Sequence, residues 1–126
     1  METPTGPETA SPAEQLTVEV SRVGQDVAVL HVVGEIDLLT ATQLGERVRE
    51  QFVPENRALV LDLTGVSFMG SSGLAEIVSA SQIDSTKLVL VATNRAVLRP
   101  LEATGLLPML NVYDTVDDAV AGVAAS

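Results

Sequence analysis

The chain reads as an α/β protein: a mixed, mainly parallel sheet with an N-terminal β-hairpin and alternating helices. Three observations predict that class. Short apolar runs alternate with stretches of helical periodicity, the order expected of β-α units. The run Ala58 to Leu63 has almost no polar side, so a strand there needs burial on both faces. The hydrophobic fraction is 46% but the aromatic fraction only 2%, so the core is built from Val, Leu, Ile and Ala. Such an aliphatic core suits helices packed on a buried sheet.

Leu16 to Arg22 alternates, with Leu16, Val18 and Val20 on one side and Thr17, Glu19 and Ser21 on the other. That is the pattern of a half-buried strand. Gly24-Gln25-Asp26 marks a turn, and Val27 to Val33 completes an antiparallel hairpin. Gly34-Glu35-Ile36-Asp37 ends the second strand. A helical face of Ala41, Leu44, Val48 and Phe52 follows, closed by Pro54 and Asn56. Ala58 to Leu63 is the third strand, Leu74 to Ile83 the second helix, and Lys87 to Ala92 the fourth strand. Thr93 or Asn94 caps a third helix that turns Val97, Leu98 and Leu101 inward. Gly105 terminates it, and Leu106 is placed to fold back. Met109 to Val112 is a short edge strand. Asp114 or Thr115 caps a last helix with Val116, Ala119, Val120 and Val123 inward. Asp117 and Asp118 lie in its first turn, where negative charge is favoured. The order is β-β-α-β-α-β-α-β-α in one domain over 15–126. Residues 1–14, rich in Pro, Thr, Ser and Glu, read as a disordered tail.

Composition narrows the function. The net charge of −10 makes nucleic acid and anionic membranes poor partners. A basic protein surface is a better one. The absence of cysteine excludes disulfides, thiolate catalysis and Cys-based metal sites. One histidine and scattered carboxylates make no metal cluster, and no cofactor is called for. No apolar run approaches the ~18 residues of a membrane span. The N-terminus lacks the basic start and apolar stretch of a signal peptide, so a cytoplasmic protein is expected.

The stretch that carries most chemistry is Phe68-Met69-Gly70-Ser71-Ser72-Gly73-Leu74, at a strand-to-helix junction. Its plain reading is a helix start, with Ser71 or Ser72 as N-cap and glycines easing the turn. Its functional reading is a phosphate switch. A phosphoserine carries about −1.5 to −2 charges, and a helix N-terminus tolerates them. Gly65-x-x-x-x-Gly70 is half of a phosphate-loop pattern, but serines stand where the lysine is required, which weakens a nucleotide-binding alternative. No Gly-x-Ser-x-Gly elbow occurs, and the lone His31 in an apolar strand reads as structural. No enzymatic activity is expected. Glu35-Ile36-Asp37-Leu38-Leu39-Thr40 reads first as a loop entering a helix, capped by Asp37 or Thr40. If the second and third strands are parallel, the loops that follow them share one surface, and Asp37 and Ser71 come close.

Together these stretches resemble the STAS domain of bacterial anti-sigma factor antagonists. The resemblance rests on Gly34 to Ala41, Leu61 to Met69 and Ser71-Ser72-Gly73-Leu74, with Leu101 to Leu106 as a late helix ending in Gly-Leu. It covers about residues 16–125 and implies a STAS-type fold. The implied role is a partner switch in transcription. The unphosphorylated protein binds an anti-sigma factor of the serine-kinase type and so frees a sigma factor. The kinase phosphorylates one serine of the motif, which ends the association, and a serine phosphatase restores it. By similarity the acceptor is Ser71, with Ser72 as second choice. The partner surface is expected to include Glu35, Asp37, Thr40, Met69, Gly70, Ser71, Ser72 and Gly73. The alternative is a STAS module of another regulatory or lipid-transport assembly. One departure stands out: many relatives carry Asp immediately before the acceptor serine, and this chain has Gly70.

Overall fold

The computed structural model describes residues 15–83 and 87–125. The tail expected over 1–14 lies outside them. The described residues form five strands and four α-helices: β1 (Leu16–Val23), β2 (Val27–Ile36), α1 (Ala41–Glu50), β3 (Ala58–Met69), α2 (Ser71–Ser81), β4 (Lys87–Val91), α3 (Arg95–Ala103), β5 (Val112–Tyr113) and α4 (Val116–Ala125). The sheet order is β1-β2-β3-β4-β5. β1 pairs antiparallel to β2, and the remaining pairs are parallel. The mixed, mainly parallel sheet with an N-terminal hairpin is therefore present.

The two faces of the sheet are covered unequally. Ala28, Leu30, Leu59, Leu61 and Leu90 face a large core closed by Leu44 and Val48 of α1, Ile77 of α2, and Val97 and Leu101 of α3. Alternate residues Val27, Val29, Val60, Val89 and Val91 face a smaller core closed by Ala119 and Val123 of α4. Strand side chains alternate between faces, so the nearly unbroken apolar runs of β2 and β3 feed both cores. β1 is the edge. Its Leu16 and Val18 are buried, but Val20, expected to point inward with them, is 37% exposed.

Three element boundaries differ from expectation by three residues or more, each for a local reason. β3 runs six residues past Leu63, to Met69. Thr64-Gly65 looks like a turn in sequence, but the strand stays paired to β2 across two register shifts, so Glu35 faces Phe68 and Ile36 faces Met69. α2 starts at Ser71 rather than Leu74. Its first turn carries small and polar residues, and so lacks the apolar period that reveals a helix. The edge strand expected over 109–112 is displaced: Leu107–Met109 is a 3-10 turn and Val112–Tyr113 is the strand. Pro108 has no N–H to give a ladder, which suits the turn.

The capping expectations divide. Thr115 caps α4, its Oγ1 accepting the Asp118 N–H at 3.0 Å. α3 ends in a Schellman arrangement around Gly105 at φ 75°. The Leu106 N–H reaches the Leu101 carbonyl at 2.9 Å, and the Gly105 N–H reaches Glu102 at 3.1 Å. Asn94 occupies the N-cap position of α3 but does not cap it. Its amide instead donates to the carbonyls of Leu63 (3.1 Å) and Val66 (2.6 Å), pinning α3 to the stretch where β3 slips register.

Candidate functional site

Two chain segments leave the same end of the sheet, because β2 and β3 are parallel neighbours. The Gly70 N–H donates to the Ile36 carbonyl at 2.9 Å, so the β2–α1 loop and the start of α2 are hydrogen-bonded together. Asp37 directly follows Ile36 and Ser71 directly follows Gly70. The two motifs are therefore contiguous in space, although more than thirty positions separate them in the chain.

The β2–α1 loop is held by a clasp between Asp37 and Thr40. Asp37 Oδ1 accepts the N–H groups of Leu39 (2.9 Å) and Thr40 (3.0 Å). Thr40, fully buried, uses its hydroxyl twice. The oxygen accepts the Asp37 N–H at 2.9 Å, and the proton is shared between the Glu35 carbonyl at 2.7 Å and Asp37 Oδ1 at 3.2 Å. The Thr40 N–H lowers the Asp37 pKa most. Desolvation opposes it, and the Leu39 N–H and Thr40 hydroxyl add to it. Both residues expected to cap α1 are thus engaged, but in closing the loop. The loop then turns Leu38 and Leu39 outward, 78% and 64% exposed.

At the second segment, Gly70 is the N-cap of α2, and neither serine caps it. The Gly70 carbonyl accepts the Gly73 and Leu74 N–H groups at 3.1 and 3.2 Å. Ser71 and Ser72 occupy the first two helical positions, Ser71 exposed and Ser72 partly so. Gly73 is buried against the neighbouring loop. A Cβ there would stand 2.5 Å from Ile36 Cγ2 and 3.2 Å from Met69 Cγ, so only glycine lets α2 start this close to β2. A Cβ on Gly70 would meet nothing nearer than the Phe68 ring at 3.5 Å, an ordinary contact.

The structure thus gathers Glu35, Asp37, Thr40, Met69, Gly70, Ser71, Ser72 and Gly73 at one corner, in two tiers. Glu35 and Ser71 are on the surface, with Gly70 and Ser72 partly so. Thr40, Met69 and Gly73 are buried beneath and shape it. Leu38, Leu39 and Phe68, the last 50% exposed, lie within the two motifs but outside the partner surface expected from sequence, and they are its apolar part. Two adjacent leucines in a loop flanked by charge were the available signal. From Ser71 a groove of about 450 Å³ runs along α2 to the end of α3, lined by Leu74, Ala75, Val78 and Leu106. The Gly65 to Gly70 spacing makes no phosphate cradle, because residues 65–69 are extended strand. Among the described residues no cluster of His, Cys, Asp or Glu is suited to a metal ion.

The family model of the STAS domain matches residues 19–119. The chain belongs to the STAS domain family. An anti-sigma-F factor antagonist of Mycobacterium tuberculosis, RsfB, is 37% identical to this STAS domain over 115 residues, 90% of this chain and 93% of that protein. An anti-sigma-B factor antagonist of Listeria monocytogenes is 32% identical over 100 residues, 77% of this chain and 88% of that one. A crystal structure of an anti-sigma factor antagonist from Mycobacterium paratuberculosis matches with a TM-score of 0.80 and 34% identity, over 86% of this chain and 94% of that one. No described helix of this STAS domain is long and apolar enough to cross a membrane.

Proposed function

We propose that this STAS domain is an anti-sigma factor antagonist that works in the cytoplasm as a phosphorylation-gated binding module without catalytic activity of its own. The observation that carries this reading is the Gly70–Ile36 hydrogen bond, which sets an exposed serine beside a rigid loop presenting two leucines. The similarity to named antagonists of anti-sigma factors supports the choice of partner. Unphosphorylated, the surface of Leu38, Leu39, Phe68 and Ser71 docks an anti-sigma factor of the serine-kinase type and releases its sigma factor. Glu35 adds negative charge suited to a basic rim on that partner.

Phosphorylation of Ser71 then ends binding. The phosphate sits at the first position of α2, where free N–H groups and the helix dipole accommodate it, so the fold persists. Its cost falls on the complex. Close docking would strip water from about two negative charges at the mouth of an apolar groove. A serine phosphatase resets the surface. Incubation with ATP and the cognate anti-sigma kinase tests the assignment by intact mass. Wild type gains one phosphate and Ser71→Ala none. A phosphate retained in Ser71→Ala but lost in Ser72→Ala overturns the choice of serine.

A further inference from the structure

α4 covers β3, β4 and the start of β2 on its side of the sheet, where Val27 and Val29 are buried; farther along β2 and on β1 the same face carries His31, Glu19 and Ser21. His31 lies there. The structural histidine expected in this apolar strand is part of a hydrogen-bonded chain across three strands. His31 Nδ1 meets Asp62 Oδ2 at 3.1 Å, and His31 Nε2 meets Ser21 Oγ at 3.1 Å. The other Asp62 oxygen accepts the Thr64 hydroxyl at 2.7 Å and the Thr64 N–H at 3.1 Å.

The proton positions follow from chemistry. An ionised carboxylate only accepts, so Nδ1 carries the hydrogen, Nε2 of the neutral ring is the acceptor, and the Ser21 hydroxyl donates to it. Thr64 orients the carboxylate, the carboxylate orients the imidazole, and the imidazole addresses an exposed hydroxyl. That is the nucleophile–base–orienter arrangement of an activated serine. Glu19 on β1 stands opposite His31 in the antiparallel register. No sequence motif announces the arrangement, because its members come from three strands that only the sheet order brings together.

We infer that Ser21 is a nucleophilic serine open to acylation by activated acyl esters, a modification site separate from Ser71. Ser21 Oγ attacks the acyl carbon while its proton passes to His31 Nε2. The bond from that carbon to the ester oxygen breaks, and the leaving alcohol or phenol takes the proton from the imidazolium. The product is an O-acyl serine. The site is an open sheet face rather than a cleft with a preorganised oxyanion hole. The adduct is therefore expected to accumulate stoichiometrically, since losing even one oxyanion donor costs roughly 10²–10³-fold in rate.

The test is acetylation of the full chain with p-nitrophenyl acetate, followed over time by peptide mapping. Exposed Ser79 on α2 serves as the internal reference. Ser21 should acquire acetyl at least about tenfold faster than Ser79, and a positioned general base is worth about 10²–10⁴-fold. His31→Gln should remove that advantage, and Asp62→Asn should reduce it. Circular dichroism and an unchanged Ser79 rate in each variant confirm that the fold is retained. Equal rates at Ser21 and Ser79 in wild type, or an unchanged Ser21 rate in His31→Gln, would overturn the inference. Neither result bears on Ser71.

Discussion

In the proposed docking corner, Leu38, Leu39 and Gly70 set what a partner would meet, and none of the three carries a charge. Leu38 and Leu39 have no folding role that accounts for their exposure. Replacing both with Ala should weaken anti-sigma factor binding by at least tenfold while the urea midpoint stays within the ordinary scatter of surface substitutions, roughly ±0.5 kcal/mol. Isothermal titration and urea denaturation separate the two effects. Gly70 is an N-cap without a side chain. Gly70→Asp adds an acceptor for the first-turn N–H groups where a Cβ has ordinary room, and should stabilise the domain by a few tenths of a kcal/mol in urea denaturation. It also sets a carboxylate beside Ser71, so a change in the rate of phosphorylation is expected from the same variant.

At the scale of elements, the β2–α1 loop is the part most tightly specified. Thr40→Val keeps the shape but leaves the Glu35 carbonyl and the Asp37 N–H without their buried partner. A loss of about 1–3 kcal/mol in unfolding free energy is expected, with weaker partner binding as the leucines lose their fixed direction. Asp37 gives the clasp a pH signature. Its folded pKa lies below its ordinary value, so its stabilisation is fully present above the unfolded value of ~3.9 and fades as pH falls through the lower folded one. Urea midpoints of wild type and Asp37→Asn should differ near neutrality and converge in acid.

The same elements show what could be read from sequence. Strand and helix order was legible because apolar periodicity records which face is buried, and the Gly105 terminus because a helix end needs a left-handed residue. The start of α2 and the end of β3 were not legible. Both are fixed by pairing to a distant strand, through Gly70–Ile36 and the shifted β2–β3 register, and that pairing leaves no local periodic trace. The corner itself was foreseeable from parallel strands. Its division into a buried tier at Thr40, Met69 and Gly73 and an exposed tier at Ser71 was not, because residue type alone does not reveal depth.

For the whole molecule, the sheet separates three tasks. The large core with α1, α2 and α3 carries the proposed partner corner at its rim, the smaller core anchors α4, and the part of the sheet face beyond Val29 holds Ser21 and His31. The proposed switch would need no change of fold, since a phosphate at the first position of α2 would alter only what the rim presents. The most direct test is the affinity of wild type, Ser71→Ala and Ser71→Glu for the cognate anti-sigma factor, measured by titration calorimetry without ATP. Wild type and Ser71→Ala should bind within a few-fold of each other, and Ser71→Glu at least about a hundredfold more weakly, a loss of ~2.8 kcal/mol. Equal affinity in all three, with the fold intact, would contradict the account.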